Sequence, residues 1–434
     1  MSTTETEGTD TETGIDSVNK NDWMERILER ENLELAWAAV KENDGAAGVD
    51  RLTISATQAH LKTHWDEVRE KLISGNYRPA AVRTVEIPKE SGGSRRLGIP
   101  TVQDRLIQQA TNQILSAAFD PQMSEHSYGF RPKRSAHHAV DAARGYVASG
   151  KGWVVDIDLK DFFDQINHDR LMRMLGGKLR DKRVLALIGR YLRAPMRHAD
   201  GKQERRSKGS PQGGPLSPLL ANLYLSPLDR ELEHRGIAFV RYADDIALFL
   251  GSERAAHRAL ESVTAWLQRE LQLEVNPSKS GIGPSSGSAL LGFRIHEMGN
   301  VSIAPKALLR LKERVRQLWD ARQSLTSEQL RLQWRRYISG WWNYFGYADW
   351  QREVKKLSGW IRRHMRKCFW QRWHNRAGRY KALKRLGIKG RALGVAGCRR
   401  GAWPMATHVV MNQALSNARL NRHGLTIPWA LAGG

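Results

Sequence analysis

Near the middle of the chain, two short apolar runs rich in β-branched and aromatic residues, Ile237 to Val240 and Ile246 to Leu250, predict strands. The residues between them, Arg241-Tyr242-Ala243-Asp244-Asp245, predict a tight hairpin with Asp244 and Asp245 at its tip. Trp153 to Leu159 also alternates. Trp153, Val155, Ile157 and Leu159 take one face, while Val154, Asp156 and Asp158 take the other. Val82 to Ile87 and Arg95 to Ile99 predict a second hairpin that turns through Pro88 to Ser94, and Leu290 to Ile295 predicts one more strand. Helical spacing governs most of the remainder. Asp22 to Lys41 is expected to bury Trp23, Ile27, Leu28, Leu35 and Val40, and a second helix covers Ala56 to Ser74. Thr101-Val-Gln-Asp104 reads as a capping box ahead of the stripe Leu106, Ile107, Ala110, Ile114 and Leu115. Further helices are expected after Ser135, through about Glu233, and from Arg254 to Leu271.

From Pro305 onward only the helical period remains. Leu308, Leu311, Val315 and Leu318 mark one helix, and Thr326-Ser-Glu-Gln329 caps a second that carries Leu330, Trp334, Ile338, Trp341 and Phe345. A third runs from Arg352 to Trp373 with Leu357, Trp360, Ile361, Met365 and Cys368 on its apolar stripe. The last 60 residues are basic and Gly-rich, with no clear period. The pattern as a whole is α+β followed by an all-helical region.

Composition narrows this picture. A chain of 434 residues, 41% hydrophobic and 26% charged, fits a soluble protein of two to four domains. No run of about 18 apolar residues occurs, so no transmembrane helix and no membrane partner are expected. Residues 1–20 are Thr- and Glu-rich without apolar periodicity, which predicts a disordered tail rather than a secretory signal. Two cysteines, Cys368 and Cys398, are too few for a disulfide framework or a Cys-rich zinc site, so a cytoplasmic setting is expected.

Charge adds a second layer. From Val301 to the end there are 28 Lys and Arg against 5 Asp and Glu, whereas the first 300 residues hold 41 against 40. Ten of the fifteen tryptophans also follow residue 300. A long basic region with interleaved aromatics is the electrostatic footprint of nucleic-acid binding. In the third helix Arg362, Arg363, Arg366 and Lys367 lie mainly off the apolar stripe and are the candidates for that role, with the tryptophans read as packing.

The candidate chemistry is acidic. Asp244 and Asp245 repel each other on a turn, and Asp156 and Asp158 interrupt an otherwise apolar strand, where unpaired charge is costly. Divalent metal relieves both, although a solvated acidic turn is the ordinary alternative for the hairpin. Lys89, Arg95 and Arg96 on the earlier hairpin suit a triphosphate. Arg131, Lys133 and Arg134, in Ser127-Tyr-Gly-Phe-Arg-Pro-Lys-Arg-Ser135, either grip a phosphate backbone or form a solvated loop. In Ser210-Pro-Gln-Gly-Gly-Pro-Leu-Ser-Pro218, Gly213 permits close approach to a ligand and Gln212 offers a donor and an acceptor beside it.

Taken in order, these pieces resemble the reverse transcriptases, or maturases, encoded by bacterial group II introns. The resemblance runs from the connector Gly45 to Asp50 through the fingers hairpin Lys89 to Pro100, the loop Ser127 to Ser135 and the metal strand Val154 to Ile166. It continues through the Gln-Gly loop, the Tyr-x-Asp-Asp motif, Asn276 to Ser280 and Leu291-Gly-Phe293. It ends in Tyr337-Ile-Ser-Gly-Trp-Trp-Asn-Tyr-Phe-Gly-Tyr-Ala348, which is similar to the maturase, or thumb, motif.

The resemblance implies a right-hand polymerase. Its parts would be a tail over 1–20, an N-terminal extension with fingers over 21–150, a palm over 151–300, a helical thumb over 301–375 and a basic nucleic-acid-binding region over 376–434. It implies RNA-dependent DNA synthesis with two Mg²⁺ ions, for which Mn²⁺ substitutes. Asp158, Asp244, Asp245 and the backbone of Leu159 would hold the metal, and Asp156 would be secondary. It also implies dNTP contacts from Lys89, Arg95, Gln212, Gly213 and Tyr242, with Phe163 excluding a ribose 2′-OH, while Arg96 stands where a Pro is common. Lys279 joins the nucleic-acid-binding set. The partners implied are intron RNA, an RNA template with a DNA or RNA primer, and target DNA. A His-Asn-His nuclease domain is not expected, so mobility would draw its primer from elsewhere, such as a nascent strand. Retron-like, diversity-generating and CRISPR-associated reverse transcriptases, and a splicing cofactor that no longer polymerises, are the alternatives. The maturase-like motif argues against the first three and the intact aspartates against the last.

Overall fold

The computed structural model describes residues 22–88 and 94–430. The expected tail and Lys89 lie outside the described residues, as does the side chain of Arg95. The chain divides into two compact units. One takes the residues through Ala139 together with Val155–Ile282, and the other takes Val140–Val154 together with the residues from Gly283 onward.

In the first unit the expected N-terminal helix is two helices, Trp23–Ile27 and Arg30–Glu42. Asn32 is buried at the break, where its Nδ2 donates to the carbonyl of Ile27 at 2.9 Å and to that of Ala110 at 3.1 Å. That break turns the second helix so that Asn32, Ala36 and Val40 face inward, and Leu35, expected inside, is 66% exposed. The helix Val102–Phe119 starts as the sequence predicts, with the Asp104 N–H donating to Thr101 Oγ1 at 3.1 Å. Asp104 does not close the box on the backbone. Its buried carboxylate instead accepts from the hydroxyls of Thr101 and Tyr77, at 2.7 and 2.8 Å, and burial raises its pKa.

Strand β1 (Val82–Pro88) pairs antiparallel with β2 (Ser94–Ile99), and on its other edge runs parallel to β4 (Met196–Arg197), which pairs with β5 (Gln203–Glu204). A second sheet has the order β6 (Ala238–Tyr242), β7 (Asp245–Leu250), β3 (Trp153–Asp158), β8 (Gly281–Pro284). Phe239, Val240, Ile246 and Leu248 are fully buried, as is Tyr224 of the helix Ser217–His234. Continuous apolar strands explain this core, since a sheet covered on both faces loses the polar alternation of a half-exposed one.

The second unit holds a hairpin of β9 (Phe293–Ile295) and β10 (Val301–Ile303) and the helices Pro305–Leu318, Ser327–Phe345, Arg352–Arg372 and Arg376–Arg385. The capping box at Thr326 is complete, with the Gln329 N–H donating to Thr326 Oγ1 at 3.2 Å and the Thr326 N–H donating to Gln329 Oε1 at 2.9 Å. Trp319, Trp334, Trp370 and Trp429 are fully buried, which makes them packing residues. Trp334 Nε1 donates to the carbonyl of Thr426 at 2.9 Å, and Trp341 lies 5.6 Å from Trp429 between ring centroids. The aperiodic C-terminal stretch is therefore anchored by single residues such as Leu420, Ile427 and Trp429, a mode that leaves no period to read. Among the described residues no helix is long and apolar enough to cross a membrane.

Candidate active site

The acidic hairpin is tighter than its sequence predicts. Tyr242 pairs with Asp245, so only Ala243 and Asp244 form the turn, and Asp245 is the first residue of β7. Ala243 has φ +59°, a left-handed conformation at the position where such a turn favours glycine. Ala243 is held there by a network that motif reading missed. Arg241, fully buried, donates from Nε and Nη2 to both carboxylate oxygens of Asp229 at 2.6 and 2.5 Å. Its Nη1 donates to Asn222 Oδ1 at 2.8 Å and to the carbonyl of Ala243 itself at 3.0 Å. Asn222 Nδ2 donates in turn to the carbonyl of Gly129 at 2.8 Å. A Cβ on Gly129 would lie 2.3 Å from the Ala243 nitrogen, so this glycine lets the 127–130 loop close over the turn. The available signal was a charge directly after an apolar strand, with one acid twelve residues earlier on a helix rich in buried Leu.

Asp158 ends β3. Its N–H donates to Ser280 Oγ at 2.9 Å, and its carbonyl accepts from the Asn276 N–H at 2.8 Å. Leu159 follows, opposite Val275 in an antiparallel bridge. Lys279 Nζ is 3.7 Å from Asp158 Oδ2, which places this predicted nucleic-acid contact against the acidic cluster. Asp245 is raised to about 6 by desolvation and then by the negative charge of Asp244, Asp156 and Asp158. Asp156 is also raised to about 6, by desolvation and by Asp158. The hairpin and β3 thus bring four carboxylates into mutual repulsion, a donor set that suits a divalent cation. Among the described residues no three His, Cys, Asp or Glu side chains converge closely enough to enclose an ion by themselves.

Beside the hairpin opens a cleft of about 640 Å³, lined by Asp244, Asp245, Tyr242, Phe163, Gln212 and Gly213 among others. Six predicted site residues, from three separate stretches of the sequence, therefore share one cavity. Phe163 is buried edge-on to Phe162, with ring centroids 5.3 Å apart. Gly213, at φ +127°, would place a Cβ 2.5 Å from the carbonyl oxygen of Gly98, and the Gly98 N–H donates to the carbonyl of Gln212 at 2.8 Å. The close approach that Gly213 permits in the structure is to strand β2. Arg96 Nη1 pairs with Glu204 Oε2 at 3.2 Å, joining β2 to β5.

Several cations assigned to nucleic acid have other work. Arg131 is buried; its Nε donates to Asp120 Oδ1 at 2.6 Å and its Nη groups to the carbonyls of Ser127 and Asp120, both at 2.9 Å. The phosphate assignment for Arg131 is therefore corrected: it holds its own loop. Arg134 is paired with Glu125 and lies over the Tyr128 ring, and Lys133 is exposed. In the second unit Arg366 is corrected on the same ground. It is buried, its Nε donates to the carbonyl of Leu415 at 3.0 Å and its Nη2 to Asn417 Oδ1 at 3.0 Å, and burial lowers its pKa. Arg363 stacks 3.9 Å from the centroid of Trp403 and donates to that residue's carbonyl. Arg362 and Lys367 are partly exposed. Exposed cations occur both earlier in this unit, as at Arg335, Arg336, Lys355 and Lys356, and further on, where Lys381, Lys384, Arg385, Lys389, Arg391, Arg399 and Arg400 are all exposed.

Comparison with known proteins then decides the family. Residues 87–295 match the profile of reverse transcriptase (RNA-dependent DNA polymerase), and residues 308–387 match the group II intron maturase-specific domain. Protein YkfC of Escherichia coli K12 is 31% identical over 289 residues, covering 57% of this chain and 75% of YkfC. This chain belongs to the group II intron reverse transcriptase and maturase family. The group II intron-encoded protein LtrA of Lactococcus lactis subsp. cremoris is 38% identical over 165 residues, which is 38% of this chain and 27% of LtrA. A 91 kDa protein in the cob intron of Schizosaccharomyces pombe is 32% identical over 221 residues, 50% of this chain and 26% of that protein. The chain thus spans about a quarter of the length of these last two relatives. The reverse transcriptase profile contains the whole acidic cluster and the cleft-lining loop, which makes this the RNA-directed DNA polymerase domain, in a family that works with divalent metal.

Proposed function

We propose that the protein copies RNA into DNA at the cleft beside Asp244 and binds the RNA of a group II intron to assist its splicing and mobility. The observation that carries this reading is the hairpin that sets Asp244 and Asp245 into a cleft also lined by Phe163 and Gln212, with Asp156 and Asp158 on the strand beside it, near enough to act on Asp245. Asp158, Asp244 and Asp245 would hold two Mg²⁺ ions, with Mn²⁺ able to substitute; when bound, the metal neutralises charge on the reacting phosphate oxygens. Arg241 holds the turn carbonyl, so the Asp244 carboxylate meets substrate without reorganising. Phe163 narrows the cleft where a sugar would lie and favours dNTP over rNTP. Gln212 and the backbone of Gly213 line the nucleotide side, and Lys89 and Arg95 serve the triphosphate. The exposed cations of the C-terminal third would hold template, primer and intron RNA through phosphates and 2′-hydroxyls.

Primer extension on an RNA template with Mg²⁺, with dNTP compared against rNTP, tests the first half. Extension with dNTP and little with rNTP is the expected result. Binding of the enclosing intron RNA, with loss of affinity as salt rises, tests the second. Affinity that does not change with salt would refute the phosphate-binding surface.

A further inference from the structure

Phe130 breaks two rules of local structure at once. Its large apolar side chain is 55% exposed, and its φ is +57°, a region that bulky residues seldom enter. The chain on either side is fixed. Gly129 is caught between the side chain of Asn222 and the backbone of Ala243. Arg131 is locked to Asp120 and to the carbonyl of Ser127. Between these two clamps Phe130 is held out from the core in a strained conformation, and burial offers no compensation. Backbone strain that persists because its surroundings over-determine it concentrates where ligands are held.

Phe130 lines the same cleft as Tyr242, Phe163 and Gln212. We propose that Phe130 is a stacking platform for a nucleobase bound in this cleft, belonging either to the incoming nucleotide or to the template strand that it meets. Every base has a π-face, so an aromatic ring serves all four bases alike, as a copying enzyme requires. Asn43, exposed, lines the cavity as well and can supply a donor for the base edge, whereas Arg105 is buried and donates to the carbonyl of Ala46 at 2.7 Å. The inference rests on the polymerase reading for the identity of the ligand, but its geometry does not depend on turnover.

The test uses full-length protein with a dideoxy-terminated primer, so that no chemistry is needed. Two affinities are measured for the wild type and for Phe130→Ala, Phe130→Leu and Phe130→Tyr: that of the template–primer, with 2-aminopurine at the templating position, and that of dNTP for the resulting complex. Phe130→Ala is expected to weaken one of them by about 5- to 100-fold, the range of a lost base–aromatic stack. Phe130→Tyr should retain wild-type affinity within about twofold, and Phe130→Leu should not restore it. Loss of dNTP affinity alone assigns the incoming base, and loss of template–primer affinity with less 2-aminopurine quenching assigns the template base. Unchanged affinities in Phe130→Ala, or a leucine that performs as well as tyrosine, would overturn the proposal. Because neither arm requires extension, a wild type that binds but does not polymerise would count against the polymerase reading and not against the stack.

Discussion

Arginine does opposite jobs in two regions of this molecule. Beside the acidic hairpin, Arg241 is sealed from solvent and all its bonds go to the chain. Around the helix Arg376–Arg385, Arg376, Lys381, Lys384 and Arg385 stand in water, while Arg379 lies over the Trp370 ring. The first region works through fixed position, because a buried, bidentate guanidinium cannot drift and the turn it holds cannot either. The second works through accumulated charge, where no single residue is indispensable. Charge density along a sequence reports the second kind of arginine and is blind to the first.

The largest expected effect is at the chemistry itself. Asp244→Ala should reduce primer extension on RNA by on the order of 10³-fold, the scale of removing one group that stabilises developing charge. RNA affinity, measured by filter binding on the same preparation, should stay near wild type. Substantial extension by that variant would break the assignment of the acidic cluster.

Next comes the frame behind it. Arg241→Ala leaves Asp229 buried, charged and unpaired, which costs about 3–5 kcal/mol. Chemical denaturation should show that loss, together with lower extension per folded molecule, because the Ala243 carbonyl loses its donor. A variant that unfolds at the wild-type midpoint would show that the pair contributes nothing.

These two sites differ in how far they could be read from the sequence. Asp156 and Asp158 stood out because alternation on an apolar strand leaves polar positions without an ordinary explanation, and Asp244 and Asp245 because two carboxylates meet on one turn. The strands β1, β2, β3, β6 and β7, the three helices between Pro305 and Arg372 and the capping box at Thr326 were legible because period and chemistry agreed. Arg241 was hidden because its meaning depends on Asp229 and Asn222, which only the packed helix brings close. Arg131 was misread because a buried arginine and a phosphate-binding one look alike in a loop of cations. Phe130, between them, was passed over because exposure and a positive φ are properties of the folded backbone. Leu35 failed for a smaller reason, a helix break whose buried Asn32 resets the inward face.

The acidic cluster also predicts a linked dependence on pH and metal. Asp245 and Asp156 are held near 6, above the ordinary carboxylate value, so their ionisation opposes folding. Stability from these groups is present at low pH and is lost as pH rises through about 6. A divalent cation should reverse that loss. The Tm increment from added Mg²⁺ should therefore be larger at pH 7.5 than at pH 5. An equal increment at both values would place the binding elsewhere.

The smallest effect separates the two kinds of arginine most directly. Lys384 is exposed, so Lys384→Gln should leave the melting temperature unchanged. If it touches a phosphate, the slope of log affinity against log salt should fall by about 0.7–0.9 in magnitude. Arg366→Ala should do the reverse. It strands the Leu415 carbonyl and costs about 1–3 kcal/mol of stability, with little change in the salt slope of the folded fraction. If both variants changed the slope and neither changed the melting temperature, burial would not be what sorts these cations, and Arg366 would return to the RNA-binding set.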